Sequence, residues 1–324
     1  MKYGTLGTSG IEVSKLCLGC MTFGKRGTMH DWTLDPRETD AIIARALELG
    51  INFFDTANCY SQGTSEEYLR DALKAHTSRE KVVIATKVYY NEGGLSRAAI
   101  MREIDGSLKR LETDYVDLYI IHRFDQTVPM DETMSTLDSL VRSGKVRALG
   151  ASAMYGYQFH NLQDVAEKGG WTKFVSMQNH YNLLYREDER ELIPICEQMQ
   201  VARTPYSPLA AGRLCRPTWH TDTLRSQTDK VAVAKYDSTE ENDVKIVARV
   251  AELAERYNAS MTQIALAWHW KKGVLAPIIG VSKLKYLDDA VGALDVELTD
   301  ADLKYLDELY LPHKIMGALP PKTN

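Results

Sequence analysis

Short apolar runs in this chain finish at nearly equal intervals. Their ends fall at Asp55, Lys87, His122, Ala151, Gln178 and Tyr206, at steps of 32, 35, 29, 27 and 28 residues. A step of that size accommodates a strand, a crossover helix and the return to a parallel neighbouring strand. Adding Leu16–Gly19 at the start and Val274–Ile279 at the end gives eight such strands. Eight units in 324 residues predict an α/β fold, a closed parallel eight-stranded (β/α)8 TIM barrel with long active-face loops. A doubly wound sheet shows a similar alternation. It expects a G-x-G-x-x-G turn after the first strand, and Leu18-Gly19-Cys20-Met21-Thr22-Phe23-Gly24 does not supply one.

The helices between the strands carry their own signals. Asp35-Pro36-Arg37-Glu38 combines a capping side chain, a proline at the first helical position and a glutamate three residues after the cap. Ile42, Ile43, Ala46, Leu47 and Leu49 then form an apolar face that stops at Gly50. A second helix is expected around Ser65–His76, and Ser96 can cap a third with Ile100, Ile104, Leu108 and Leu111 on one side. Glu187-Asp188-Glu189-Arg190-Glu191 reads as a solvated helix start.

The step from Tyr206 to Ile279 is 73 residues, about twice the others. It contains a polar, poorly periodic stretch near 215–240, followed by helices expected at Asp243–Tyr257 and Ser260–Trp270. In a barrel that connection sits on the active face, so 210–240 is expected to cover a bound ligand. No linker interrupts residues 1–324, which read as one domain, and the irregular tail 311–324 is expected to reach the same face.

Composition narrows the function classes. With 39 Lys+Arg against 44 Asp+Glu the net charge is −5, not the footprint of a general nucleic-acid binder. The N-terminal stretch lacks a signal-peptide apolar core, and His269, Lys271 and Lys272 interrupt the most apolar stretch, so no membrane partner is expected. Five scattered cysteines fit reduced thiols in a cytoplasmic protein. Cys17 and Cys20 spell C-x-x-C but lack a second pair or a nearby His, so core positions are expected and no metal site.

Polar residues with chemical capability end the strands: Asp55, Lys87, His122, Gln178 and Tyr206. In a barrel these ends converge where active sites are built. A lysine beside a carboxylate there is either a Schiff-base nucleophile or an electrostatic tuner. Tyr60 follows Asp55 by five residues, on the loop leaving the same strand. A phenol with a pKa of about 10 is a poor acid at neutral pH, and a nearby ammonium stabilises its phenolate.

Several segments carry a resemblance. Gly50-Ile-Asn-Phe-Phe-Asp55-Thr-Ala-Asn-Cys-Tyr60, Ala85-Thr86-Lys87-Val88, Asp117-Leu-Tyr-Ile-Ile-His122-Arg123 and Ser176-Met-Gln178-Asn179 resemble the signatures of the aldo-keto reductases. So do Pro205-Tyr206-Ser207-Pro208-Leu209-Ala-Ala-Gly212-Arg213 and Pro277-Ile-Ile-Gly280-Val-Ser282-Lys283. The segment Cys20-Met21-Thr22-Phe23-Gly24 is similar to that of bacterial, broad-substrate members.

The resemblance implies NADPH-dependent reduction of small aldehydes and ketones, with NADH as a possible substitute and a small carbonyl compound as partner. It implies Tyr60 as general acid, Lys87 lowering its pKa, Asp55 holding Lys87, and His122 orienting the carbonyl. For the cofactor it implies Met21, Thr22 and Asp55 near its path, Gln178 and Ser152 on the carboxamide, and Tyr206 stacked on the ring. Ser207, Leu209, Gly212 and Arg213 would clamp the diphosphate, and Gly280, Ser282 and Lys283 would meet a 2′-phosphate. Ala153 stands where the family usually has Asn, and Tyr286 and Ala290 where it often has Gln and Asn. Trp32, Tyr89, Phe124 and Trp219 are candidates to wall the substrate pocket. Two other readings compete: a cofactor-binding redox-sensing subunit related to potassium-channel β-subunits, and an aldolase-type barrel using Lys87 as a Schiff base.

Overall fold

A computed structural model describes residues 1–222 and 224–320 of the chain. The last four positions of the expected tail, 321–324, and position 223 of the expected covering segment lie outside the described residues.

The chain opens with an antiparallel hairpin, β1 (Tyr3–Thr5) and β2 (Glu12–Ser14). Eight parallel strands follow: β3 (Cys17–Gly19), β4 (Phe53–Asp55), β5 (Val83–Val88), β6 (Val116–Ile121), β7 (Val146–Ser152), β8 (Phe174–Gln178), β9 (Ala202–Arg203) and β10 (Ile278–Ile279). They pair in the order β10-β3-β4-β5-β6-β7-β8-β9. Two backbone bonds close the ring, from Leu275 N–H to the Arg203 carbonyl at 3.0 Å and from Ile278 N–H to the Pro205 carbonyl at 2.9 Å. The fold is the (β/α)8 barrel that the spacing predicts.

Helices α1 (Pro36–Glu48), α2 (Thr64–His76), α3 (Arg97–Leu111), α4 (Met130–Arg142), α5 (Gly156–Gly169) and α6 (Leu192–Gln198) alternate with the strands. The long connection holds α7 (Leu224–Thr228), α8 (Lys230–Tyr236), α9 (Glu240–Tyr257) and α10 (Met261–Lys271), and α11 (Leu284–Gly292) and α12 (Asp300–Asp307) finish the chain. Helix α1 starts on the expected capping box: the Asp35 carboxylate accepts from Glu38 N–H at 2.9 Å and Glu38 accepts from Asp35 N–H at 3.0 Å. Such a cap contributes about 1 kcal/mol.

Strand alternation divides the core. Phe53, Val83, Ala85, Leu118, Ile120 and Ala148 point into the barrel, whereas Phe54, Ile84, Val88, Tyr119, Ile121 and Leu149 pack beneath the helices. Leu6, Ile11 and Val13 of the hairpin segment join the inward set and plug the barrel at its N-terminal end. Only glycine fits at position 7 of that plug: φ is +53°, and a Cβ would lie 2.3 Å from the Val175 carbonyl oxygen.

Two local readings change. The 215–240 stretch is less irregular than its sequence suggests, because α7 and α8 form within it. The acidic run Glu187–Glu191 is not a solvated helix start. Its first residues form a short 3₁₀ turn whose acids are engaged: Glu187 accepts from distant Tyr310 O–H at 2.7 Å, Asp188 from Asn179 at 2.9 Å and Glu189 from neighbouring Arg186 at 2.7 Å.

Described residues of the tail lie against the strand-end rim. Tyr185 O–H donates to the Met316 carbonyl, and Gln126 Nε2 donates to the Pro320 carbonyl at 2.7 Å. Gly317, at φ +94°, lies so close to Tyr206 that a Cβ would sit 2.5 Å from its hydroxyl. A side chain there would lift the tail from the ring.

Candidate active site

The inward parity of the strands positions the site. In β4, β5 and β6 the inward series run Phe53-Asp55, Val83-Ala85-Lys87 and Leu118-Ile120-His122, with His122 just past the strand end. In β7 the same alternation brings Ser152 inward, and in β8, where Phe174 packs beneath the helices, a register shift brings Gln178 inward beside it, paired across the ladder. Because all eight strands are parallel, these side chains meet at one rim.

Lys87 is fully buried and its ammonium is the hub. Nζ donates to Asp55 Oδ1 at 2.5 Å, to the Thr56 carbonyl at 2.8 Å and to Tyr60 Oη at 3.1 Å. Gln178 Nε2 donates to the other Asp55 oxygen at 2.8 Å, and Ser152 Oγ donates to the Gln178 carbonyl at 2.8 Å. His122 stands edge-on to Tyr60, ring centres 5.8 Å apart, and its Nδ1 lies 3.9 Å from Cys59 Sγ. The structure therefore brings together Asp55, Tyr60, Lys87, His122, Ser152 and Gln178.

Burial controls the ionisation of these groups. It alone would discharge Lys87, but the Asp55 carboxylate outweighs it and holds the amine as an ammonium above its ordinary range. Burial pushes Tyr60 up to about 12 against the downward pull of Lys87. The expected lowering by Lys87 is thus present as an influence, yet the net shift is upward because the low-dielectric site penalises the phenolate more. Burial, then the charges of Lys87 and Arg123, hold His122 well below its ordinary range, as neutral imidazole. The result is a protonated phenol touching a permanent cation, beside a neutral imidazole. Such a group can donate a proton to an oxygen on which negative charge develops.

Tyr206 lies on the neighbouring part of the rim. His180 stacks on its ring at 5.2 Å and Tyr185 on His180 at 4.2 Å. The Tyr206 hydroxyl has no hydrogen-bond partner among the described residues. Beyond it the chain doubles back through left-handed backbone at Ser207, Ala210, Ala211 and Gly212. The Ser207 carbonyl accepts from Asn182 at 2.9 Å, and the Leu209 carbonyl from Gly212 N–H at 2.8 Å.

Arg213 pairs with Asp237 at 2.5 Å and packs its guanidinium over Trp219 at 5.1 Å. Arg213, Arg216 and Trp219 line a cavity of about 60 Å³, and among the described residues the Nε atom of each arginine and Nε1 of the tryptophan have no acceptor. Donor-only groups left unpaired in this way suit an acceptor-rich anion. Trp219 thus belongs to this cationic cavity and packs on Arg213, not on Tyr60 or His122.

The other candidates are spread around the rim. Thr22 faces Gly280, where a Cβ would meet its methyl at 3.4 Å, and half-buried Met21 precedes it. Exposed Ser282 and Lys283 lead into α11, with Lys283 at the N-cap. Trp32 stacks on His30 at 4.3 Å, and Phe124 packs against the core beneath the helices. Tyr89 meets Tyr90 edge-on at 5.1 Å, but it is Tyr90 that meets His122, at 5.0 Å. Of the departures from the family pattern, Ala290 is buried and Tyr286 exposed.

Ala153 sits at φ +45°, a conformation costly for a Cβ residue and best tolerated among non-glycines by Asn and Asp. It also borders a cavity of about 130 Å³, closed by Ile315, Met316 and Ala318 of the tail. Ala153→Asn has both room and a compatible backbone, and should raise unfolding free energy by about 1 kcal/mol in urea titrations.

Asp188 borders the same cavity. Burial raises its carboxyl to about 7, with Glu187 and Glu191 adding to the rise and the Asn179 bond opposing it. The folded form therefore holds this proton more tightly than the unfolded chain, so stability should fall as pH rises from about 4 through about 7. Asp188→Asn should flatten that decline in urea unfolding measured across the interval.

Comparison with known proteins agrees with the geometry. The model of the aldo/keto reductase family matches residues 15–311. A putative aryl-alcohol dehydrogenase of Schizosaccharomyces pombe is 43% identical, with 98% of each chain covered. The versiconal hemiacetal acetate reductase of Aspergillus parasiticus is 40% identical over 97% of this chain and 98% of its own, and a putative aryl-alcohol dehydrogenase of Saccharomyces cerevisiae is 37% identical over the same shares. Among the described residues no helix is long and apolar enough to cross a membrane. This chain belongs to the aldo/keto reductase family and is an oxidoreductase.

Proposed function

We propose that this protein reduces small aldehydes and ketones to alcohols with NADPH, Tyr60 serving as the general acid. The observation that carries the reading is the single ammonium of Lys87 bonded to both Asp55 and Tyr60 at the barrel rim. When bound, the nicotinamide supplies the hydride; the protein supplies geometry and field. As the carbonyl carbon gains that pair, the C–O π electrons move to oxygen, which takes the Tyr60 proton. Lys87 stabilises the phenolate left behind, and neutral His122 donates a hydrogen bond to the same oxygen. Microscopic reversibility permits alcohol oxidation through the same groups. Lys87 is no Schiff-base nucleophile in this reading, because Asp55 keeps its amine protonated.

The cofactor would rest on Gln178, whose amide nitrogen is already taken by Asp55 while its oxygen is left for a carboxamide, with Ser152 beside it and Tyr206 under the ring. The unpaired donors of Arg213, Arg216 and Trp219 support a diphosphate near Ser207, Leu209 and Gly212. Gly280, Ser282 and Lys283 before α11 favour a 2′-phosphate, hence NADPH over NADH, since a helix N-terminus and a lysine both attract that charge. Met21 and Thr22 would flank this end. The substrate candidates Trp32, Tyr89 and Phe124 would line the opposite approach, and the broad carbonyl range of the bacterial type is part of the proposal. The five free cysteines are in keeping with a reducing, cytoplasmic setting.

The test follows NADPH consumption over a panel of aromatic aldehydes, beside binding constants for NADPH and NADH. Turnover with tighter NADPH binding is expected. Tight NADPH binding without turnover of any carbonyl would favour the redox-sensing subunit instead.

A further inference from the structure

Several cations withdrawn from solvent in this protein sit against carboxylates: Arg79 on Asp117, Arg110 on Glu66, Arg186 on Glu189 and Lys272 on Asp307, all at 3.0 Å or less. Two half-buried cations beside the active site break that pattern. Arg123 directly follows His122. It donates one N–H to the His122 carbonyl at 2.7 Å and lies 5.6 Å over the Tyr90 ring, which in turn abuts His122. Lys235 descends from α8 and holds its ammonium 4.7 Å over the Tyr206 ring. Neither has a carboxylate within ion-pair distance among the described residues, and both contact aromatic faces instead.

The surrounding acids are engaged or distant. Asp125 accepts from Leu95 N–H and Thr127, and Asp188 from Asn179. Asp229 attracts Lys235 only through space, while Arg123 is near enough for its charge to oppose that of Lys235. Two like charges drawn partly out of water with no counter-charge cost stability, and the cost is relieved by an anion placed between them. A guanidinium with four of its five donors uncommitted to acceptors among the described residues, and an ammonium held over an aromatic ring, match a carboxylate.

We propose that Arg123 and Lys235 form an anion subsite of the substrate pocket, so that the preferred substrates are aromatic aldehydes carrying a carboxylate remote from the carbonyl. Tyr90 would flank the ring of such a compound, with its carbonyl at Tyr60 and His122 and Tyr206 left to the nicotinamide. This rests on the carbonyl-reductase reading. It is separate from the diphosphate contacts, which fall to Arg213 and Arg216.

The test compares kcat/KM for 4-carboxybenzaldehyde with that for methyl 4-formylbenzoate, which keeps the shape and removes the charge. Wild type should prefer the acid by about tenfold or more, and Arg123→Gln and Lys235→Gln should each cut that ratio by about tenfold. Arg123→Lys should keep most of it. Because the ratio is taken within each variant, a general loss of activity cancels. Calorimetric binding of benzene-1,4-dicarboxylate reads the subsite without turnover: binding by wild type that weakens in both Gln variants supports it even if no aldehyde is reduced. Failure of wild type to bind the dicarboxylate would overturn it. So would an unchanged ratio in both variants, including the case where NADPH affinity alone shifts and the cations belong to the cofactor.

Discussion

Tyr60→Phe should lower kcat for aldehyde reduction by ~10²- to 10⁴-fold while leaving NADPH affinity within a few-fold of wild type. The substitution removes one hydroxyl from a buried ring and keeps the edge-on contact with His122. It also leaves Lys87 bonded to Asp55 and the Thr56 carbonyl, so the hub stays charged and paired. What disappears is the proton that the carbonyl oxygen must receive. Water would have to supply it in a rim from which side chains exclude most solvent. Stopped-flow absorbance of NADPH with steady-state kinetics over the same aldehydes measures the loss, and fluorescence titration with NADPH measures binding.

Lys87→Met should have two consequences that can be separated. The first is structural: Asp55 would keep only the Gln178 amide as a partner, and an unpaired buried carboxylate costs about 3–5 kcal/mol. Lys87 titrates above its unfolded value, so its stabilisation is complete at neutral pH and lost only in strong alkali. The second consequence is chemical. Without the ammonium nothing opposes the burial that raises Tyr60, and activity should fall by at least ~10²-fold. Adding Asp55→Asn to Lys87→Met removes the orphaned charge, so urea unfolding should recover most of the lost stability while turnover stays absent.

Some of this site can be read from residue order alone. The regular spacing of strand ends, joined to the two-residue alternation within strands, puts Asp55, Lys87 and His122 on the inner face at one rim, where the structure has them, whereas Gln178 joins them through a register shift in β8 that alternation does not encode. Even the capping box at Asp35 and Glu38 is local enough to be legible. Other features depend on packing that no local pattern encodes. The acids Glu187 and Asp188 look solvated because their partners, Tyr310 and Asn179, are brought in by the end of the chain and by the turn after β8. Tyr90 rather than Tyr89 touches His122 because the loop after β5 sets which neighbour turns inward. Lys235 sits on a short helix in a stretch with weak periodicity, and only the fold of that connection carries it over Tyr206. The balance of forces on Tyr60 is likewise invisible in sequence, because burial and a single cation oppose each other and only the geometry says which is larger.

The most direct measurement is a double-mutant cycle on single-turnover reduction with Tyr60→Phe, Lys87→Met and the pair together. If the ammonium acts through the phenol, removing it after the phenol is gone should cost little more, and the double variant should be about as slow as Tyr60→Phe alone. Losses that multiply independently would contradict the account, since they would mean that Lys87 serves catalysis without Tyr60.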